Sequence, residues 1–240
     1  MVRVLLFGGG VQTTAMLLEY PARYDYVIFA DVSAGTKFDE KSDTYIYLDK
    51  YIKPYLKSKN IPLIIVQSTL GSLYDYCIEH NIIPLRNLRW CTDKWKRIPI
   101  QKWIKKNLQP SKEKPVYQDM GFSWDEYWRA GRIKQTDKMI FECPLVDHKI
   151  TRQDCKDIIL KHFPELPPKS GCVYCPFAKK SDFKEIKRKE PEKWNKILEL
   201  EQNHTKYPNV VLKTKPLVDW IQDNEILDDY MECDDGYCFV

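Results

Sequence analysis

The stretch Val2-Arg3-Val4-Leu5-Leu6-Phe7-Gly8-Gly9-Gly10-Val11-Gln12-Thr13-Thr14 decides the fold. A short, nearly continuous apolar run that ends in a turn signal reads as a buried strand. The residues beyond the glycines, Thr13–Tyr20, read as a helix that Pro21 stops. Glycine is a poor helix former, costing about 1 kcal/mol relative to alanine. Three in a row at a helix start therefore point to something that must come close. Lacking a Cβ, they accept positive φ and let an anion approach the backbone. The helix behind them offers unpaired N–H groups and the positive end of its dipole. Thr13 and Thr14 add hydroxyl donors. No Gly-Lys-Ser/Thr follows, so this is not a Walker A loop, and the glycine spacing is not G-x-G-x-x-G.

Outward from this junction, Tyr26–Ala30 and Leu63–Val66 read as further short apolar strands, with Ser42–Lys57 helical between them. Continuously apolar strands alternating with helices predict a doubly wound, mostly parallel α/β sheet covered on both faces. Leu73–Glu79 and Trp95–Asn107 read as helices, and Val116–Met120 as another strand. From Cys143 onward, prolines and cysteines punctuate the helical stretches Arg152–His162, Lys179–Lys189 and Pro191–Asn203. The expected organisation is an α/β nucleotide-binding domain over residues 1–142. A smaller, helical, cysteine-bearing lobe with a C-terminal tail follows over residues 143–240.

Composition bounds the rest. The chain has 240 residues, 43% hydrophobic and 30% charged, with a mean hydropathy of −0.51. No apolar run reaches the roughly 20 residues of a bilayer span. A glycine turn rather than a cleavage site follows the first apolar run, so a cytoplasmic location without membrane partners is expected. Eight cysteines in such a chain point to metal or redox chemistry more than to bridges. Cys172-x-x-Cys175 places two thiols at the ends of a tight turn, half of a zinc or iron–sulfur site. Cys77 lies in an apolar helical stretch and reads as a buried thiol. The formal charge of +4 is mild, but cations crowd Lys94–Lys106 and Lys179–Lys189. These are either solvated helix faces or a footprint for a polyanion. If Lys94, Arg97, Lys102 and Lys105 share a face, Trp95 and Trp103 stand between them, in the core or stacked on a base.

The glycine segment Gly8-Gly9-Gly10-Val11-Gln12-Thr13 resembles the Ser-Gly-Gly-x-Asp-Ser signature of PP-loop ATP pyrophosphatases. Gly8 stands where serine is usual and Gln12 where aspartate is usual. The variant resembles the phosphoadenosine phosphosulfate (PAPS) reductase-like branch, of the phage and mobile-element type. The resemblance continues in order through Phe29-Ala30-Asp31, Trp90–Lys96 with Pro99, Gly121–Glu126 with Arg129, Pro144–Asp147, Thr151–Cys155 and Ser170–Phe177, covering residues 2–203. It implies an adenine-nucleotide α-hydrolase-like fold. It also implies ATP with Mg2+ over Gly8, Gly9, Gly10, Val11, Gln12, Thr13 and Thr14, near Ala30, Asp31 and Gly121.

In that branch the recurring cysteines fall at Cys91, Cys155, Cys172 and Cys175, which implies a four-thiol site for a [4Fe-4S] cluster or for Zn2+, with Cys143 in reserve. The activity it implies is adenylyl transfer coupled to sulfur transfer on a nucleic acid, as in tRNA thiolation or DNA phosphorothioation. Lys96, Arg129 and Arg132 would offset leaving-group charge, and a sulfur-donor protein would be a partner. Two other readings stay open. One is a PAPS or APS reductase, in which Cys233 of the tail Glu232-Cys233-Asp234-Asp235-Gly236-Tyr237-Cys238 attacks a sulfonucleotide. Asp234 there replaces the glycine of the reductase motif. The other is a nucleotide-binding component of a modification or defence complex with no turnover of its own.

Overall fold

The computed structural model describes residues 1–86, 88–203 and 212–222. Five strands form one parallel sheet in the order β3-β2-β1-β4-β5: β1 (Val2–Phe7), β2 (Tyr26–Asp31), β3 (Leu63–Gln67), β4 (Val116–Asp119) and β5 (Met139–Glu142). Every neighbouring pair is parallel. This is the doubly wound α/β sheet expected. The sequence reading found four of the strands and missed β5, a four-residue edge strand.

Successive strand residues face opposite sides, and the two faces build two cores. Leu5, Phe7, Val27 and Phe29 pack with helix α1 (Val11–Glu19) and the 42–58 helix. Val4, Leu6, Ile28 and Ala30 pack instead with Ile100 and Ile104 of the helix that runs through residues 90–108. A third core lies beyond the sheet, where the helices Leu73–Glu79, Lys180–Lys189, Pro191–Asn203 and Leu217–Gln222 meet Trp95. The helix Arg152–His162 leaves that lobe and packs on α1 through Cys155, Ile158 and Ile159. A capping box between Thr151 and Asp154 starts it. Among the described residues, no helix is long and apolar enough to cross a membrane.

Strand order reverses between β1 and β4, since β1 leads to β2 on one side and pairs with β4 on the other. In open parallel sheets that reversal leaves a crevice beyond the carboxyl ends of the two strands, the usual ligand position. Here Gly8–Thr13 forms one wall of the crevice, and the segment following β4, from Gly121 to Glu126, forms the other.

Candidate nucleotide loop and thiol pocket

Gly9 has φ of +77°, a conformation that costs an L side chain roughly 1 kcal/mol or more. A Cβ added there would also meet Thr44 Cγ2 at 3.1 Å and Ser170 Cβ at 3.7 Å. Gly10 caps α1 with extended backbone and without a side-chain bond. The first amides of α1 thus start at a turn built from glycine alone. Thr14 and Thr44 are buried, and their hydroxyls have no hydrogen-bond partner in the structure. A buried hydroxyl without a partner costs about 1–3 kcal/mol, a cost that a ligand oxygen would remove. Gly121 is required for packing: a Cβ there would lie 2.6 Å from Thr13 Cγ2 and 3.1 Å from its backbone nitrogen.

Gln12 occupies the position where the resembled signature has aspartate. Its amide nitrogen donates to Glu126 Oε2 at 3.2 Å, and its amide oxygen accepts from Arg152 Nη1 at 3.4 Å. Glu126 in turn faces Arg129, with Nη1 2.5 Å from Oε1. Arg129 is buried, its guanidinium 4.2 Å from the Phe122 ring. Arg129 therefore holds the post-β4 segment together from inside, whereas Arg152 is partly exposed beside the loop. Arg152 was missed as a site residue, although its segment was noticed.

Asp31 ends β2 at the same edge. Its carboxylate accepts from the amides of Ser33 and Gly35, each at 3.0 Å, from Tyr45 Oη at 2.6 Å and from Gln67 Nε2 at 3.0 Å. Four donors shape the 32–36 turn around it, and Ala30 beneath it is buried against the sheet.

The thiols that share a cavity come from two segments. Residues 170–175 lie against the chain that follows β2: Val173 N donates to Asp39 O at 2.8 Å, Lys41 N to Gly171 O at 3.3 Å, and Glu40 bridges Cys172. Tyr174, fully buried, donates its hydroxyl to Asp39. Burial raises the Asp39 carboxyl to about 6, against the pull of the Tyr174 hydroxyl and the Tyr74 amide. The turn closes through Cys175 N to Cys172 O at 3.2 Å. Cys91, at the start of the 90–108 helix, faces the same cavity as Cys172 and Cys175. Arg89 and Lys96 supply cations to that cavity, and Val32, Leu73 and Phe177 supply apolar walls.

Cys155 is not part of this set. It is fully buried between α1 and its own helix, in a different core from the one against which Cys91, Cys172 and Cys175 pack. Burial raises its thiol to about 12, and Asp154 adds to the rise. Cys143, the reserve ligand, is also buried and pushed up to about 12. Three thiols rather than four therefore share a site. Among the described residues, no group of three or more His, Cys, Asp or Glu is arranged to hold a single metal ion. Zinc draws its thiolates to one point, whereas an iron–sulfur cluster takes thiolates spread around its corners. Three sulfurs line one cavity with two cations beside them, a donor set that thiol count alone assigns to neither group. Cys233 lies outside the described residues.

The basic segment also resolves differently from the expectation. Arg97, Lys102 and Lys105 share a cleft, but Lys94 turns to Tyr76, 2.9 Å from its hydroxyl. Trp95 is fully buried, its indole N–H on Gly71 O at 2.9 Å. Trp103 packs edge-on to Tyr26 at 5.4 Å. Both tryptophans belong to the core. In the second basic segment, Lys180 is buried over Trp220 and Lys189 pairs with Asp43 and Glu185.

No protein-family model matches the sequence, and no curated protein is similar to it. Among solved structures, the chain is similar in shape to the U34-tRNA thiolase NcsA from Methanococcus maripaludis with its [4Fe-4S] cluster. The TM-score is 0.43 at 12% identity, over 97% of this chain and 76% of that one. A likeness of this size carries no argument about chemistry, and the fold stands on the strand order described above.

Proposed function

We propose that the chain binds ATP at the glycine loop, adenylylates an oxygen on a nucleic acid with release of pyrophosphate, and replaces the activated oxygen, which leaves with AMP, by sulfide-level sulfur that a sulfur donor delivers at the thiol pocket. One observation carries this reading. Gly9 and Ser170 adjoin, so the phosphate loop and the Cys172–Cys175 turn are neighbours across the same sheet edge. A nucleotide phosphate and an incoming sulfur would then meet at one place without a large motion.

The glycine loop and the α1 amides would hold phosphate oxygens, with Thr14 and Thr44 hydroxyls completing the cradle. Lys96, in the lining of the thiol cavity, would offset charge developing on the leaving group. Asp31, at the end of β2, and Glu126, bonded to Gln12, are already held by donors. Any Mg2+ would therefore enter on the nucleotide's own phosphates. Cys91, Cys172 and Cys175 would hold an iron–sulfur cluster, which when bound would supply sulfur-carrying capacity. Arg89 and Lys96 would lower the cost of three thiolates in one apolar cavity.

The test uses full-length protein purified without oxygen. ATP should bind by calorimetry and Gly9→Val should abolish binding, with pyrophosphate released only when tRNA or DNA is added. Iron and sulfide should be found in place of zinc. Unchanged ATP affinity in Gly9→Val would defeat the nucleotide site. Consumption of a sulfonucleotide, with no pyrophosphate release, would replace this reading by the reductase.

A further inference from the structure

The segment 124–134 carries two features that the nucleotide and thiol sites do not use. The first is a run of exposed aromatic rings. Trp124, Tyr127 and Trp128 are 38%, 57% and 48% exposed. Trp124 and Tyr127 stack at 5.3 Å with planes 27° apart, and Trp128 stands edge-on to Tyr127 at 5.9 Å. The chain has seven tryptophans, and among the described residues the two exposed ones are these. Large rings placed in water lose the burial that normally holds them. Three on one turn form a patch rather than a scatter.

The second feature is a cleft of about 660 Å³ to which the end of this segment contributes Arg132 and Lys134, together with Arg97, Lys102 and Lys105. Asp93 is the one carboxylate in its lining and pairs with Arg97 at 2.7 Å. The cleft's cationic excess therefore equals the formal charge of the whole chain, +4. Cations that line one cleft repel each other, the more so at low salt. That repulsion is relieved when a polyanion enters.

The two features meet the proposed chemistry at defined points. Arg132 follows Trp128 by four residues, just beyond the end of the short helix Tyr127–Ala130. Thr92 stands in the walls of both the basic cleft and the thiol pocket. Glu126, next to Tyr127, is hydrogen-bonded to Gln12 of the phosphate loop.

We infer that this surface binds an unpaired nucleic-acid strand, with phosphates in the Arg97–Lys134 cleft and bases stacked on Trp124, Tyr127 and Trp128. Stacking tolerates any base and needs it out of a duplex, while the cations follow the backbone. The strand would pass Thr92, which brings a base to the mouth of the thiol pocket. The inference rests on the nucleic-acid part of the function proposed above, and it selects unpaired over paired substrate.

The experiment measures fluorescence anisotropy of labelled oligouridylate and oligothymidylate, each about 12 nucleotides long, and of a duplex hairpin. It uses the full chain without ATP, across a salt series. Single strands should bind at least about tenfold more tightly than the duplex. The ratio of the two single strands then names the sugar. Tyr127→Ser with Trp128→Ser should remove that preference, leaving salt-dependent binding to all three. Lys102→Gln with Lys105→Gln should weaken all three probes and flatten the salt slope by roughly one to two units. All four positions are exposed, and melting temperatures within a few degrees of wild type will show that the variants fold. Equal affinity for duplex and single strand, no binding at low salt, or unaltered binding by both double variants overturns the inference. Strand binding without pyrophosphate release would defeat the catalytic proposal alone. Release with a small acceptor and no strand binding would defeat this surface alone.

Discussion

Cys143 and Cys155 lie buried in the two cores that flank the sheet, with thiols pushed up to about 12. Cys91, Cys172 and Cys175 stand partly exposed around a cavity that also holds Arg89 and Lys96. All five are thiols in one chain. Around Cys143 and Cys155 burial is the largest influence, and it penalises the charged form. In the cavity, the thiols are partly exposed and Arg89 and Lys96 stand in the same lining. Access and neighbouring charge, rather than the number of cysteines, set the two groups of thiols apart.

The sharpest way to break this comparison is to count metal. Cys91→Ser, Cys172→Ser and Cys175→Ser should each abolish bound iron and visible absorbance in anaerobically purified protein, while Cys155→Ala keeps both. Full iron content in Cys172→Ser, by elemental analysis, would dissolve the distinction. Alkylation gives the next largest contrast. In chelated, reduced protein, iodoacetamide should modify Cys91, Cys172 and Cys175 on the order of 100-fold faster than Cys77, Cys143 and Cys155. The buried set reacts only through local opening. Peptide mass spectrometry over a time course reads this directly.

The joint between the two regions makes a smaller effect. Lys41, after β2, and Lys169, before the Cys172 turn, both contact Asp182, at 2.7 and 2.9 Å. Burial opposes charge on Asp182, and the two ammonium groups overcome it, holding the carboxyl down at about 2. A depressed carboxyl stabilises the fold above its unfolded pKa near 3.9. That contribution, about 2 kcal/mol, is lost as pH falls through about 2. Urea unfolding at pH 6 and pH 2.5 should show a smaller acid loss in Asp182→Asn than in wild type. An equal loss would place the acid sensitivity elsewhere. The smallest expected effect concerns packing. Cys155→Ala should cost about 1 kcal/mol, and Cys175→Ala in metal-free protein within about 0.5 kcal/mol. Denaturant midpoints would rank the two.

The strand–glycine–helix junction was legible because its evidence is local. An apolar run, a turn and a helix start fall within a dozen residues. β5 was not, because Met139–Glu142 is too short to show a period and pairs only with β4. The thiol set was read too widely. Colinear matching placed Cys155 with Cys91 and Cys172, yet nothing local says which distant segments meet. A local signal did exist. Cys155, Ile158 and Ile159 recur at helical spacing, the mark of a buried stripe. Arg89 and Ser170 gain their position only through tertiary contact. The basic segment was half legible, because helical spacing gathers Lys102 and Lys105 but cannot foresee the tyrosine that takes Lys94.

The Gln12 bridge has a consequence for how such a loop can change. Restoring the aspartate of the resembled signature at residue 12 would set it against Glu126, replacing a hydrogen bond with two facing carboxylates. Exchanging Glu126 alone would strip Arg129, which is buried, of the carboxylate it faces. Either single step passes through a mismatched charge, while the paired exchange keeps one acid beside two arginines. Residues 12 and 126 therefore form a two-position lock, in which the order of substitutions matters as much as their identity.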